Sequence, residues 1–381
     1  MLSNPRTTSS SRIDRILVAY PGSNLGDVIL MMPMLEAIRH EWPAAELDVV
    51  VNSRAVDVLD RIPWITSVYG FDHGAVRLPG LSSYKCIYNL ISLYRNSLMG
   101  RDYDIAIDPR WGRDDFWGNF LVYLSGAPVR CGYSGVVEDG KNDLDAFFTK
   151  VAIGGHHEHE TLRDLRVLSR SNLRIDSPSD VSIPTHPISS LISVSKLSSE
   201  NLSEQLKALC ERPYIVFSPA ATKQFRCWPL QNFGLLAAYL RSLDAISFVI
   251  VGSEDDSDLC DSLVKQIGHG AVSLAGETTV IELISLLSNA KLFVGNDSGP
   301  AHIAGALGTP TVVISPFPTR CTDEHPNSPV RFRPCGPKVA VLQPTDPLEP
   351  CWPSCSWDEP HCIAQVSVGQ VAQIAKKMTW D

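Results

Sequence analysis

Residues 292–308 read LFVGNDSGPAHIAGALG. This stretch is the clearest indication of the fold class, because it predicts a strand, a turn and a helix that follow one another without a gap. The apolar strand Leu292–Val294 enters the turn GNDSGP, and an Ala-, Ile- and Leu-rich helix follows. A helix start carries unpaired N–H groups and partial positive charge, which suit a phosphate or diphosphate. Ser298 adds a hydroxyl, and His302 lies four residues later on the same helical face. The alternative is an ordinary turn in which Asp297 or Ser298 only caps the helix.

The same strand-then-helix pattern fills both halves of the chain. The strands predicted in the first half are 15–20, 47–52, 67–72 and 104–109, with a helix at 28–42. Those predicted in the second half are 214–219, 247–252, 271–274, 292–297 and 311–316, with helices at 233–243, 255–267 and 280–290. The Ser- and Pro-rich segment 176–204 marks the changeover. This alternation predicts one parallel sheet per half, with helices on both faces and ligands at the carboxyl ends of the strands.

Length and composition limit the class of protein. A chain of 381 residues exceeds one ordinary core and predicts two domains. The formal net charge of −9 argues against a protein that binds duplex nucleic acid, so we expect no nucleic-acid partner. No window reaches the roughly 18 apolar residues that cross a bilayer. Residues 1–14 are polar and predict a disordered lead-in without a secretion signal, so we expect a cytoplasmic protein.

Ten cysteines in a chain of this size are expected to stay reduced. Several of them cluster near the end of the sequence, with a histidine beside them: Cys335, Cys351, Cys355, Cys362 and His361. Their spacing matches no standard zinc pattern, and a fourth ligand would be ambiguous. A metal at this cluster is therefore not favoured, and the sequence leaves open whether these cysteines bind one.

The loop at 22–27, GSNLGD, joins the first strand to the first helix. It lacks both the GxGxxG fingerprint of dinucleotide-binding proteins and the Gly-Lys-Ser/Thr ending of a P-loop, so a nicotinamide-dependent oxidoreductase is not favoured. Asp27 has two interpretations on the loop alone. It is either a helix-start residue stabilised by the helix dipole, or a carboxylate able to accept a proton from a substrate hydroxyl.

Charged residues also follow two strands of the second half. The segment 218–229 reads SPAATKQFRCWP, in which Lys223 and Arg226 are either solvated loop cations or neutralise a diphosphate leaving group. Glu254 follows the next strand, where a carboxylate commonly hydrogen-bonds ribose hydroxyls. Its alternative role is to begin the following helix.

Four blocks of the chain resemble family 9 glycosyltransferases, the heptosyltransferase group. They are RILVAYPGSNLGDVILMMPMLEAIRHEWP (15–43), DYDIAIDPRWGRDDFWGNFLVYLSGAPVRCGYSG (102–135), FRCWPLQNFGLLAAYL (225–240) and VGNDSGPAHIAGALGTPTVVISPFPT (294–319). The resemblance spans about residues 15–380 and keeps the blocks in the family's order.

The resemblance implies an α/β protein of the GT-B fold. In that fold two Rossmann-like parallel-sheet domains face a cleft, and a C-terminal helix crosses back to the first domain. The implied divisions are a lead-in at 1–14, an acceptor-binding domain at 15–190, a nucleotide-sugar-binding domain at 205–345, and a tail with the crossing helix at 346–381.

It also implies an inverting glycosyltransferase that moves heptose from ADP-heptose onto a lipopolysaccharide core or related glycan, with no cofactor and no metal. Asp27 would be the general base, and Asn24 and Gly26 would belong to the acceptor loop. The implied donor-binding residues are Arg226, Lys223, Glu254, Asp297, Ser298, Gly299 and His302. Arg226 stands where the family commonly has Lys, which keeps the charge but presents a planar fork to phosphate.

Two other functions stay open: the same fold using another nucleotide sugar or acceptor, such as O-antigen, capsule or another glycoconjugate, and a non-catalytic nucleotide-binding protein. The expected partners are a nucleotide-sugar donor, a glycan or lipid-linked acceptor, and the inner face of the cytoplasmic membrane through peripheral contact. A long loop is predicted after the third strand, at 73–100. Its Arg77, Lys85 and Arg95 could meet an anionic acceptor or simply be solvated.

Overall fold

A computed structural model describes residues 12–72, 81–111, 117–134, 145–155, 157–171, 183–199, 204–320, 327–351 and 358–381. The chain forms two compact units. The first comprises 1–23, 34–154 and 164–180, and the second comprises 24–33, 155–163 and 181–381.

The first unit is built on a parallel six-stranded sheet with the order β3-β2-β1-β4-β5-β6. Its strands are β1 Arg15–Ala19, β2 Glu46–Asn52, β3 Ser67–Phe71, β4 Ile105–Ile107, β5 Val129–Tyr133 and β6 Lys150–Ala152. The helices along this part of the chain are α1 Leu25–Glu41, α2 Val56–Leu59, α3 Leu81–Leu93 and α4 Gly118–Leu124. The first turns of α1 belong to the second unit, because residues 24–33 make their contacts there.

The second unit contains another parallel six-stranded sheet, with the order β12-β11-β10-β7-β8-β9. Its strands are β7 Tyr214–Ser218, β8 Ser247–Ile250, β9 Ala271–Ser273, β10 Leu292–Asn296, β11 Thr311–Ile314 and β12 Val339–Leu342. The helices that follow in the chain are α5 Glu160–Ser169, α6 Ser189–Ser199, α7 Glu204–Cys210, α8 Leu230–Leu243, α9 Ser257–Ile267, α10 Val280–Asn289, α11 Gly299–Leu307, α12 Pro329–Phe332 and α13 Val368–Thr379.

The central strands of the second sheet are apolar and wholly buried. Every residue of β7 and β10 is buried, as expected for parallel strands covered by helices on both faces. The carboxyl ends of β10, β7 and β8 lie next to one another, because these three strands are neighbours and parallel. Residues that follow them therefore converge at one edge of the sheet.

The two parallel sheets and their helices confirm the α/β fold class, and each predicted strand and helix overlaps one in the structure. Three short strands were not predicted: β5, β6 and β12. Three or four residues of sequence, as in β6 and β12, carry too little periodicity to mark a strand.

The prediction of a long loop at 73–100 is wrong over much of that range. The chain forms α3 and then a π-helical turn at Tyr94–Leu98, because Cys86 and Leu90 recur at helical spacing and are both buried. Lys85 is exposed on α3, and Arg95 is exposed on the π-helical turn. Arg77 lies outside the described residues.

The final helix packs within the second unit. Its residues Val371, Ala372 and Ala375 are buried in the core that covers the second sheet, and α13 contacts α8. This packing follows from the apolar stripe of a strongly amphipathic helix. Among the described residues, no helix has the length and apolar character needed to cross a membrane.

Candidate active site

The turn between β10 and α11 leaves the start of α11 without a side-chain cap. Ser298 is the N-cap residue, yet its hydroxyl donates to the Asn296 carbonyl, 3.2 Å away, and caps no helical N–H. Gly299 begins the helix, and Pro300 occupies the first turn, where its missing N–H costs nothing. The helix dipole therefore faces this turn with no acidic side chain of the helix's own first turn to neutralise it.

Arg226 and Asp297 form an ion pair beside this turn. Nη2 of Arg226 lies 2.9 Å from Oδ2 of Asp297, and it also donates to the Asp297 carbonyl at 3.2 Å. The two side chains are 19% and 6% exposed. Burial raises the pKa of the Asp297 carboxyl, and the Arg226 guanidinium opposes that rise. The pair holds the guanidinium against the turn, with its carbon 5.9 Å from the centre of the Phe317 ring.

His302 points into the same group of side chains. Burial, followed by the nearby charge of Arg226, lowers the pKa of His302 to about 4, so its ring is neutral at pH 7. Its Nε2 lies 3.8 Å from Oδ1 of Asp297. A neutral imidazole offers one donor and one acceptor, which suits a phosphate oxygen on one side and a hydroxyl on the other.

Two buried polar atoms in this group lack partners. Nε of Arg226 and Nδ1 of His302 are inaccessible to solvent, and neither makes a hydrogen bond within the described part of the chain. Leaving such a group unpaired costs about 1–3 kcal/mol, so an orphaned pair at one place calls for an explanation. The Arg226 side chain as a whole is 19% exposed, so the rest of its guanidinium stays available at the turn.

Asn296 holds the loop that carries Arg226 against the end of β10, a role that was not predicted from the sequence. Its side chain is fully buried; Oδ1 accepts the Trp228 backbone N–H at 2.9 Å, and Nδ2 donates to the Pro219 carbonyl at 2.6 Å. Asn296 thereby joins the end of β10 to the loop that carries Arg226. The available signal was an asparagine inside an apolar strand, where that residue is uncommon.

The first turn of α1 lies against the first turn of α11. A Cβ on Gly26 would come within 2.9 Å of Cδ2 of His302, and a Cβ on Gly299 would lie 3.7 Å from a methyl group of Leu25. Glycine at position 26 is what permits this approach. Asp27 thus belongs to the same compact unit as the turn between β10 and α11, and one of its oxygens accepts the Asn24 N–H at 2.7 Å.

Two predicted donor residues lie at the same sheet edge but outside this hydrogen-bonded group. Lys223 is exposed and uses its carbonyl to accept the Arg226 backbone N–H at 3.0 Å. Glu254 is exposed in a short turn after β8, where its Cα would lie 2.9 Å from a Cβ on Gly276. Within the described ranges, no hydrogen bond or ion pair joins either side chain to Arg226, Asp297 or His302.

Comparisons with known proteins agree on one family. The sequence profile of glycosyltransferase family 9 (heptosyltransferase) matches residues 91–351. Lipopolysaccharide heptosyltransferase 3 of Escherichia coli is 26% identical over 302 residues, which cover 76% of this chain and 80% of that protein.

Solved structures share the fold at low identity. A family 9 glycosyltransferase from Veillonella parvula has a TM-score of 0.71 at 20% identity, covering 97% of this chain and 98% of that chain. The E. coli heptosyltransferase WaaC, solved with ADP-2-deoxy-2-fluoro heptose, has a TM-score of 0.67 at 17% identity, covering 95% and 99%. The family profile, the sequence relatives and the fold together show that this chain belongs to glycosyltransferase family 9 and is a glycosyltransferase of the GT-B fold.

Proposed function

We propose that this chain transfers heptose from ADP-heptose onto a lipopolysaccharide core glycan, with inversion at the anomeric carbon. Membership of the heptosyltransferase family and the lipopolysaccharide heptosyltransferase among its relatives support the choice of sugar and acceptor. The observation that carries the proposal is the partly exposed Arg226 guanidinium, which Asp297 holds beside the uncapped start of α11.

The donor's diphosphate occupies that turn. The Arg226 guanidinium stabilises the negative charge that develops on the diphosphate as its bond to the sugar breaks. The Gly299 N–H, at the positive end of the α11 dipole, stabilises the same charge. Asp297 acts through Arg226, since a carboxylate in contact with phosphate would repel it. Ser298 contributes a hydroxyl, and His302 serves the diphosphate or the adjacent ribose. Lys223 and Glu254 reach the outer part of the nucleotide from the neighbouring strand ends, because both are exposed there.

Asp27 is the general base of a single displacement. Its carboxylate takes the proton of an acceptor hydroxyl while that oxygen bonds to the anomeric carbon, and the bond from that carbon to the diphosphate breaks, releasing ADP. Attack from the face opposite the leaving group inverts the configuration. Asn24 and Gly26 shape the loop that receives the acceptor. One Asp27 oxygen is held by the Asn24 N–H, which fixes the direction of the carboxylate. We assign this reaction to the cytoplasm, with the acceptor presented at the inner face of the membrane.

The test is a transfer assay with the purified chain. We expect ADP release and a heptose-sized mass gain when ADP-heptose is combined with a core acceptor that lacks its terminal heptose, and NMR of the product should show the inverted anomer. Transfer from a different nucleotide sugar would replace the donor in the proposal.

A panel of nucleotide sugars separates enzyme from binder. A donor present at 100 times its Kd adds about 2.7 kcal/mol to the free energy of unfolding, which a melt detects. Stabilisation by ADP-heptose without transfer to any core acceptor would indicate a nucleotide-binding protein instead.

A further inference from the structure

A second cluster of reactive side chains lies in the segment between β12 and α13. Cys351, His361 and Cys362 each offer one ligand atom, and these three atoms all lie within 4.8 Å of one another. Both cysteines are buried, and the histidine is partly buried. The donor-binding residues use none of these side chains. Cys335, the neighbour in the sequence pattern, contacts Thr161 Oγ1 at 3.3 Å instead.

The two sulfur–nitrogen distances in the cluster are close to those around a tetrahedral metal ion. A zinc ion with Zn–S about 2.3 Å and Zn–N about 2.0–2.1 Å holds sulfur and nitrogen about 3.6 Å apart. Here Nδ1 of His361 lies 3.4 Å from Sγ of Cys351 and 3.8 Å from Sγ of Cys362. Both sulfurs lie close to the same ring nitrogen, Nδ1 of His361.

We propose that Cys351, His361 and Cys362 bind one thiophilic transition-metal ion, with zinc as the ion that the donor set favours. Two thiolates and an imidazole are soft to borderline ligands, which select zinc or iron over magnesium, calcium or manganese. The Leu348 N–H donates to Sγ of Cys362 at 3.4 Å, a contact that stabilises a thiolate.

The ion cross-links this segment and supports the donor site through a series of hydrogen bonds. It cross-links Cys351 to His361 and Cys362, and a cross-link of this kind lowers the entropy of the unfolded chain. Four residues after Cys362, the Val366 carbonyl accepts Nε1 of Trp228 at 2.8 Å. The Trp228 backbone N–H in turn binds Asn296, which holds the loop of Arg226. Loss of the ion therefore loosens the Trp228 anchor before it changes any group that touches the donor.

The experiment measures metal directly on the full-length chain. We expect about one zinc or iron per chain by elemental analysis after purification under reducing conditions, or after reconstitution with zinc. Cobalt substitution should give the intense visible absorption of thiolate-bound tetrahedral cobalt. A thiol-blocking mercurial should release the metal to a coloured chelator, which tests the wild-type chain without any mutation.

Variants locate the ion. Cys351→Ser, Cys362→Ser and His361→Gln should each lose most of the metal and the cobalt spectrum, and removal of the ion from the wild type should lower its Tm. Cys210→Ser is the matched control, because Cys210 lies on α7 outside the cluster and its Sγ lies 3.5 Å from the Tyr214 hydroxyl. Wild-type protein that stays metal-free after reconstitution would overturn the proposal. So would unchanged metal content in folded Cys351→Ser and His361→Gln.

Discussion

Two strand-to-helix turns of this molecule each carry an aspartate, and they use it in opposite ways. At the start of α1, the Asp27 carboxylate accepts the Asn24 N–H and so caps its own helix. At the start of α11, Asp297 turns away from the helix to pair with Arg226, and Ser298 leaves the helix uncapped. The first turn satisfies itself locally. The second turn leaves the N–H groups at the start of α11 without a side-chain acceptor.

This difference assigns separate tasks to the two turns, which lie against each other through Gly26 and His302. A capped turn with a directed carboxylate suits proton transfer, because its geometry does not depend on the donor. An uncapped turn beside a partly exposed guanidinium suits an anion, because the anion accepts hydrogen bonds from the helix start and pairs with the positive charge.

The largest effect is expected from Asp27→Asn. The amide oxygen still accepts the Asn24 N–H, so the cap survives while the base is lost. We expect kcat to fall by about 10²- to 10⁴-fold, which is about 3–5 kcal/mol of barrier, with little change in donor Kd or Tm. Steady-state kinetics beside calorimetry with ADP measures both. Full activity in this variant would remove Asp27 from the chemistry and leave only its cap.

Arg226→Ala should weaken donor binding and lower stability. A charge-assisted hydrogen bond contributes about 1.5–3 kcal/mol, so we expect the donor Kd to rise by roughly 10- to 150-fold. The folded protein also loses stability, since Asp297 is left buried without its partner. Arg226→Lys should restore charge but only part of the affinity. Titration calorimetry decides the matter; an unchanged Kd in Arg226→Ala would move the diphosphate to another place.

Asp297→Asn provides the matched comparison for Arg226. If Asp297 acts only by orienting the guanidinium, this variant should weaken donor binding less than Arg226→Ala does. An equal or greater loss would mean that Asp297 contacts the donor itself.

The free energy of unfolding should decrease as pH is lowered, because two histidines are buried in the neutral form. Burial lowers the pKa of both His159 and His302 from the ordinary 6.5 to about 4. Between these two pH values the unfolded chain binds protons at both histidines and the folded chain does not. This contribution is complete above pH 6.5 and is lost as pH falls toward 4. At pH 5 we expect a loss of about 2 kcal/mol per histidine relative to neutral pH, measured by urea unfolding.

His159→Gln is the cleaner variant for this measurement. Its Nε2 binds the Arg333 carbonyl at 2.7 Å, whereas His302 adjoins Asp297, whose raised pKa works in the opposite direction. We expect a flatter pH dependence in His159→Gln. An identical slope in that variant and the wild type would assign the proton uptake to other groups.

The smallest effect concerns the cap itself. Asp27→Ala removes the carboxylate that accepts the Asn24 N–H, and loss of such a capping contact costs about 1 kcal/mol. Asp27→Asn should keep that stability. Equal unfolding free energies for the two variants would show that the cap contributes nothing measurable, and the contrast between the two turns would then rest on chemistry alone.

Much of the architecture could be predicted because it is written in local patterns. Runs such as YIVFS and LFVGN, each followed by an amphipathic stretch, predict buried parallel strands and covering helices from periodicity alone. The helix α3 was missed because its alternation of Tyr, Lys and Asn with apolar residues resembled a polar loop. The strands β5, β6 and β12 were missed because pairing with a neighbouring strand, more than their own residues, makes them strands.

Local patterns along the chain are enough to predict the strand–turn–helix units, the family, and the residue types able to serve an anion and a proton at two turns. How those residues are used follows from contacts made across the fold. The tertiary structure paired Asp297 with Arg226, set Asn296 between the Pro219 carbonyl and the Trp228 N–H, and brought Gly26 against His302. It also gathered Cys351, His361 and Cys362 around one point, despite a spacing that matches no standard pattern. The physical reason is that hydrogen bonds, ion pairs and metal geometry depend on distances across the fold, which spacing along the chain does not specify.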